Sequence, residues 1–128
     1  MKTINVLLVD DDEDDYFLTS AYFEEIKNIN FKIDWKSTYD LAAEAILEKD
    51  YDLFIFDYFL GAKTAFDLIE IIDINELDAP IILLTGVGDT NVDLEAADLG
   101  VYDYLVKSNL TADILERSIR YSLKQAET

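Results

Sequence analysis

Short, continuous apolar runs alternate with helical patterns along the whole chain. Three runs of four apolar residues stand out, at 6–9, 53–56 and 81–84. Each run is too short for a buried helix, and hydrophobicity that is continuous rather than alternating is typical of parallel strands covered on both faces. Two weaker strands are predicted at 31–36 and 101–106.

Apolar residues spaced three or four apart predict five helices between and after these strands. From the first helix to the fifth, the marking residues are Leu18, Tyr22 and Ile26; Ala42, Ala45 and Ile46; Ala65, Leu68, Ile69 and Ile72; Val92, Ala96 and Leu99; and Leu115, Ile119 and Leu123. Gly100 is expected to end the fourth helix, and Asp89 or Thr90 and Thr111 are expected to cap helix N-termini. The alternation predicts an α/β fold with a doubly wound, five-stranded parallel sheet, (βα)5, in one domain over 1–128.

Polar side chains follow four of the five predicted strands. Asp10 and Asp11 follow the first strand, Asp57 the third, Thr85 the fourth and Lys107 the fifth. Ligands in such folds bind at the carboxyl ends of the strands, so we expect these side chains to meet at one edge of the sheet. Each residue alone would be an ordinary cap, loop or surface residue. Their joint occurrence at successive strand ends indicates a functional site.

The residue types at this edge favour phosphoryl transfer assisted by a metal ion. Two carboxylates about 4 Å apart repel by roughly 4 kcal/mol at an effective dielectric constant of about 20, so a proton or a cation must relieve the charge. Oxygen ligands without histidine or cysteine select Mg²⁺, Mn²⁺ or Ca²⁺, and Mg²⁺ is usually shared between carboxylates and phosphate oxygens. A carboxylate can be the nucleophile, with Lys107 as a counter-charge and the Thr85 hydroxyl as a donor.

Composition excludes several other classes of function. The formal charge is −18, from 10 basic and 28 acidic residues, which argues against binding to nucleic acid or to an anionic membrane and favours a cation or a basic protein patch. Without histidine the chain cannot donate a phosphoryl group from phosphohistidine, and without cysteine it has no disulfide or thiolate chemistry. No apolar run approaches a membrane span and no signal peptide pattern is present, so we expect a cytoplasmic location.

Four segments in register resemble the receiver domain of two-component response regulators over essentially the full length of the chain. They are 6–12 (VLLVDDD), 51–57 (YDLFIFD), 80–86 (PIILLTG) and 103–107 (DYLVK). Each segment alone is a weak signal, whereas the four in order are highly specific. The resemblance implies a flavodoxin-like strand order, 2-1-3-4-5.

The resemblance also implies a metal site and a phosphoacceptor. Asp11, Asp57 and the backbone carbonyl of Phe59 would hold Mg²⁺ or Mn²⁺, with Asp10 acting mainly through a bound water. Asp57 would take the phosphoryl group from a sensor histidine kinase, from a histidine phosphotransfer protein or from a small phosphodonor. The protein would then be a signalling receiver rather than a metabolic enzyme, catalysing only its own phosphorylation and dephosphorylation.

Further residues are assigned roles by the same resemblance. Thr85 and Lys107 would bind the new phosphoryl oxygens, and Tyr104, three residues before the lysine, would couple to the movement of Thr85. The positions that tune phosphoryl lifetime are Phe59 and Val87; both are apolar and neither can activate water. We therefore expect slow self-dephosphorylation.

The sequence departs from the family after the site lysine, where Ser108 replaces a proline that commonly follows a cis bond. Either this loop is trans, or it holds a strained cis peptide that costs about 2.5–4 kcal/mol.

Alternative functions are less compatible with the residues. A haloacid-dehalogenase-like phosphatase needs a second aspartate where Phe59 lies, and a flavin carrier needs a Ser/Thr/Gly-rich loop where three aspartates follow the first strand. A receiver-like docking module that works without phosphorylation is the more serious alternative, although the complete set of site residues argues against it.

The output of the domain is not encoded in recognisable form. The chain is either a stand-alone receiver or a part of a longer protein. Arg117, Arg120 and Lys124 carry much of the scarce positive charge on the fifth helix. A face made of the fourth helix, the fifth strand and the fifth helix is a candidate for dimerisation or partner docking, with a solvated helix surface as the equally weighted alternative.

Overall fold

Five parallel strands form one sheet that is covered by helices on both faces. The computed structural model describes residues 2–86, 96 and 98–127. The elements are β1 (Thr3–Val9), α1 (Glu13–Glu25), β2 (Asn30–Lys36), α2 (Tyr39–Glu48), β3 (Leu53–Asp57), β4 (Phe59–Leu60), β5 (Lys63–Thr64), α3 (Ala65–Ile74), β6 (Ile81–Thr85), β7 (Asp103–Val106), a 3₁₀ turn (Lys107–Asn109) and α4 (Ala112–Ala126). The sheet has the order β2-β1-β3-β6-β7, which confirms the predicted topology.

The three central strands are buried because both of their faces are covered. Every residue of β3 and β6 is buried. One apolar cluster packs α2 and α3 against one face of the sheet, and a second packs α1 and α4 against the other. Each fully buried leucine or isoleucine in these clusters stabilises the fold by about 1.5–3 kcal/mol. The strand ends that carry the polar residues are therefore anchored in a rigid core.

The face of α1 that contacts the sheet agrees with the prediction at Tyr22 and Ile26 but not at Leu18. The buried residues of α1 are Thr19 and Phe23, whereas Leu18 is 52% exposed. The carboxylate of Asp12 accepts the Asp14 and Asp15 N–H groups and fixes the start of the helix. Thr19 and Phe23 therefore join Tyr22 and Ile26 on the face that contacts the sheet.

A short antiparallel hairpin, β4–β5, was not predicted. Phe59 pairs with Thr64 and Leu60 with Lys63, and Gly61 in the connection has φ +71. The Thr64 N–H then donates to the Asp67 carboxylate at 2.9 Å, as in a capping box, where α3 begins.

The predicted helix that precedes β7 ends where the sequence predicts. Ala96 and Asp98 are helical. Gly100 has φ +78, and the Val101 N–H donates to the Ala96 carbonyl at 3.1 Å, a bond typical of a glycine-terminated helix. The other residues predicted for this helix lie outside the described residues. They are Val92 and the predicted caps Asp89 and Thr90.

The start of the last helix and the absence of a membrane span were also predicted. The Thr111 hydroxyl accepts the Ile114 N–H at 3.2 Å, which confirms the predicted N-cap of the last helix. Among the helices of the described residues, none is long and apolar enough to cross a membrane.

Candidate functional site

Asp10 lies at the carboxyl end of β1, fully buried, and β2 fixes its backbone. The Asp10 N–H donates to the Lys36 carbonyl at 3.2 Å, and the Trp35 indole N–H donates to the Asp10 carbonyl at 2.9 Å. Oδ1 of Asp10 accepts the Asp12 N–H at 3.0 Å. The Tyr16 ring stacks on Trp35, with ring centroids 4.1 Å apart. The parts of Trp35 and Tyr16 were not predicted, because a strand aromatic and a helix aromatic carry no sequence signal of such a contact.

Asp57 ends β3, beside Asp10 and Asp11 at the end of β1. Asp10, Asp11 and Asp57 each offer one carboxylate oxygen, and the three oxygens lie within 4.8 Å of one another. Ligand oxygens on opposite sides of a divalent cation are about 4–5 Å apart, so the three side chains fit a common hard cation such as Mg²⁺ or Mn²⁺. Asp10 and Asp57 are buried while Asp11 is exposed, which leaves the site open to solvent on one side.

Lys107, directly after β7, supplies the positive charge of the site. Its Nζ lies 2.8 Å from Oδ2 of Asp10, 2.8 Å from Oδ2 of Asp15 and 3.4 Å from Oδ2 of Asp57. The contact with Asp10 is a close, buried ion pair, and Nζ also donates a hydrogen bond to Asp15. Three carboxylates therefore share one ammonium group. The ion pair between Asp15 and Lys107 was not predicted.

The charge balance at the site is unfavourable to the ionised carboxylates. Burial raises the pKa of Asp57 to about 7; the charge of Lys107 opposes this, and that of Asp10 adds to it. Burial also raises the pKa of Asp10, against the lowering contacts with Lys107 and the Asp12 N–H. Burial alone would lower the pKa of Lys107, but its contacts with Asp10 and Asp15 outweigh burial and raise it. The lysine is thus firmly charged, and a further cation would relieve the remaining carboxylates.

Thr85 and Tyr104 lie on neighbouring strands next to the site. Thr85 is buried at the end of β6, in register with Val106 of β7, and Leu83 is in register with Tyr104. Because alternate residues of a strand share a face, Thr85 and Tyr104 point to the same face of the sheet. Tyr104 is half-buried and packs against the apolar cluster of α2 and α3 on that face.

The peptide between Lys107 and Ser108 is trans. The described part of the chain contains no cis peptide bond. Lys107 begins the 3₁₀ turn, in which the Leu110 N–H donates to the Lys107 carbonyl at 3.2 Å. Of the two possibilities raised by the sequence, the strained cis peptide is therefore wrong.

Of the two positions predicted to tune phosphoryl lifetime, the structure describes Phe59 but not Val87. Phe59 follows the acceptor by two residues, in β4, and its side chain is 63% exposed at the edge of the site. Val87 lies outside the described residues.

Comparison with known proteins assigns the family. The sequence profile of the Response regulator receiver domain matches residues 6–119. The chain belongs to the family of response regulator receiver domains of two-component systems, a family of signalling modules rather than metabolic enzymes.

The sequence relatives are longer proteins. SilR of Salmonella typhimurium, described as a transcriptional regulatory protein, is 27% identical over 126 residues, which cover 98% of this chain and 53% of SilR. CusR of Escherichia coli K12, also a transcriptional regulatory protein, is 35% identical over 68 residues, covering 53% of this chain and 30% of CusR. The chain thus spans about half the length of SilR, and its match to CusR covers less than a third of that protein.

Solved structures agree on the fold. The signal receiver domain of a protein described as a Luxo repressor, from Vibrio parahaemolyticus, superimposes with a TM-score of 0.88 at 25% identity, covering 98% of this chain and 94% of that one. A two-component response regulator from Clostridium difficile has a TM-score of 0.82 at 25% identity, covering 98% and 99%.

Proposed function

We propose that Asp57 accepts a phosphoryl group in a Mg²⁺-dependent reaction and that its phosphorylation switches a protein-interaction face. The observation that carries the proposal is the position of Asp57, buried at a strand end between two further carboxylates and the ammonium group of Lys107. The phosphodonor is a sensor histidine kinase or a histidine phosphotransfer protein, as membership of the family favours, and we place the reaction in the cytoplasm.

In this proposal the metal is held by the carboxylates of Asp11 and Asp57 and the backbone carbonyl of Phe59, with Asp10 acting mainly through a bound water. Bound Mg²⁺ or Mn²⁺ would neutralise the negative charge of the carboxylates and of the phosphoryl oxygens. A raised pKa leaves part of Asp57 protonated near neutral pH, so a cation that favours the carboxylate also favours the nucleophile.

The transfer step needs little covalent chemistry from the protein. A carboxylate oxygen of Asp57 attacks phosphorus, the bond from phosphorus to the imidazole nitrogen breaks, and the electron pair returns to the imidazole. Lys107 already lies 3.4 Å from Oδ2 of Asp57, in position to contact a phosphoryl oxygen. The Thr85 hydroxyl donates to another oxygen, and Tyr104, on the same face of the sheet, responds to the movement of Thr85.

The interaction face includes β7 and α4, next to Tyr104. In this proposal the phosphorylated domain acts through protein contacts, with a partner or a second copy, and binds neither nucleic acid nor membrane directly. Sedimentation with and without a phosphoryl mimic tests dimerisation, and a monomer in both conditions would contradict a dimer.

Intact mass after incubation with acetyl phosphate tests the phosphoacceptor function. We expect one phosphoryl adduct on the wild type in Mg²⁺, none with chelator, and none on Asp57→Ala. An unmodified wild type that binds Mg²⁺ normally would contradict the proposal and favour a docking module that works without phosphorylation.

Phosphoryl lifetime tests the role of Phe59. We expect Phe59→Asn to accelerate loss of the phosphoryl group by roughly tenfold, because an amide can orient a hydrolytic water. Leu47→Asn is the matched control, since Leu47 is similarly exposed, at 61%, but lies in α2. Equal rates for the wild type and Phe59→Asn would contradict this role.

A further inference from the structure

Lys107 has three N–H bonds, and three carboxylates surround them. Asp10 and Asp57 come from strand ends, whereas Asp15 comes from the first turn of α1, and its Oδ2 lies 2.8 Å from Nζ. Asp15 is closer to the ammonium group than Asp57 is, at 2.8 Å against 3.4 Å. The free site therefore holds Lys107 towards Asp15 and Asp10 rather than towards the acceptor.

The first turn of α1 is fixed relative to the site, so the position of Asp15 is built into the fold. The Asp12 carboxylate accepts the Asp15 N–H at 3.2 Å. The next residue, Tyr16, stacks on Trp35 with an interplanar angle of 4°, and Trp35 donates to the backbone of Asp10. A chain of contacts thus connects the turn that bears Asp15 to the end of β1.

We propose that Asp15 competes with the phosphoryl group on Asp57 for Lys107 and so limits how readily the site is phosphorylated. The inference rests on the proposed function of Asp57. The phosphoryl oxygens on Asp57 join three carboxylates around an ammonium group that has three N–H bonds, so they compete with Asp15 for a short contact with Lys107. The negative charge of Asp15, one ammonium group away, also opposes the accumulation of phosphoryl charge.

Asp15→Asn is the sharpest variant, because asparagine keeps the shape and one acceptor oxygen while removing the charge. The Asp15 side chain is 40% exposed, so solvent screens the interaction and the effect is modest. We expect beryllofluoride, a phosphoryl mimic, to bind about 2- to 5-fold more tightly to the variant in Mg²⁺. A gain in affinity cannot result from damage to the fold.

The experiment is a beryllofluoride titration in Mg²⁺ followed by calorimetry, on the wild type, Asp15→Asn and Asp14→Asn. Asp14→Asn is the matched control, since it removes the same charge from an exposed side chain in the same turn. We expect only Asp15→Asn to bind more tightly. Unchanged or weaker binding by Asp15→Asn, or equal tightening in both variants, would overturn the inference. A wild type that binds no beryllofluoride would instead contradict the proposed function.

Urea unfolding without metal provides a second readout, independent of phosphoryl binding. We expect the urea midpoints of Asp15→Asn and Asp14→Asn to differ, because Asp15 contacts Lys107 and Asp14 does not. In a Lys107→Met background the difference should vanish. A difference that persists without the lysine would show that the contact is not its cause and would also overturn the inference.

Discussion

Two clusters of aspartate and lysine in this domain have opposite electrostatic character. On β2, Asp34 lies 3.6 Å from Lys36 and 3.4 Å from Lys49, and it accepts the hydroxyl of Tyr51. Burial would raise the pKa of Asp34, but the Tyr51 hydrogen bond and the two lysines outweigh burial and lower it. At the carboxyl edge of the sheet, Lys107 is the one cation that the described residues place among three carboxylates, and the pKa of Asp57 is raised to about 7.

The difference separates a structural cluster from a reactive one. One acid surrounded by two cations and a hydroxyl is satisfied and has no need of a further ligand. Two buried acids and a partly exposed one around a single cation are stabilised when a proton or a metal ion joins them, which is the state that the proposed phosphoryl transfer requires. The number of acids per cation, rather than the presence of an ion pair, distinguishes the two.

The largest expected effect is a gain in stability for Asp57→Asn. The folded pKa of about 7 lies above the unfolded value of about 3.9, so the folded state holds the proton more tightly and ionisation destabilises it as pH rises between these values. Without metal at pH 8, we expect the variant to be more stable by about 3 kcal/mol, and the gain should shrink towards pH 4. Urea unfolding across this pH range measures the gain in stability. A gain that stays constant with pH would contradict the raised pKa of Asp57.

Removal of the lysine from each cluster should have unequal effects. Lys107→Met leaves Asp10 and Asp57 buried without their counter-charge, and we expect a loss of about 2 kcal/mol at pH 8. Lys49 is 59% exposed, and Asp34 keeps Lys36 and Tyr51, so Lys49→Met should cost less than about 0.5 kcal/mol. Equal losses for the two variants in denaturant titrations would remove the contrast.

Binding of Mg²⁺ should depend on pH through Asp57. Because the metal binds the carboxylate, protonation below pH 7 competes with it, and we expect about tenfold weaker binding at pH 6 than at pH 8. Calorimetry measures the affinity, with Asp34→Asn as a control that should bind as the wild type does. An affinity independent of pH in this range would contradict a raised pKa on a metal-binding Asp57.

A smaller effect, opposite in sign to that of Asp57→Asn, should come from Asp34→Asn. The pKa of Asp34 is lowered, so its carboxylate stabilises the fold above the unfolded pKa of about 3.9 and loses this contribution as pH falls through the folded pKa. We expect the variant to be less stable by about 1 kcal/mol at neutral pH. A stabilised variant, measured by urea unfolding, would show that the two clusters do not differ in kind.

The strand pattern predicted the sheet and the residues at its carboxyl edge, because parallel strands bring their ends together whatever the intervening segments do. Asp10, Asp57 and Lys107 therefore met as expected. Asp15 was missed because its contact with Lys107 depends on how α1 is rotated against the sheet, and the spacing of apolar residues does not fix that rotation to within one residue. The Tyr16–Trp35 stack was missed for the same reason.

The short hairpin after Asp57 shows a different limit of the sequence. Each of its strands, Phe59–Leu60 and Lys63–Thr64, has only two residues. Two residues are too few to show alternation, so no periodicity could indicate the hairpin.

The identity of the phosphorylated residue tests the central claim most directly. Reduction of the acetyl-phosphate-treated protein with borohydride converts an acyl phosphate to an alcohol and marks the acceptor for peptide mass mapping. We expect the reduced residue at Asp57 in the wild type and in Asp34→Asn, and at no position in protein treated without Mg²⁺. Reduction at another aspartate while Asp57 stays intact would contradict the account.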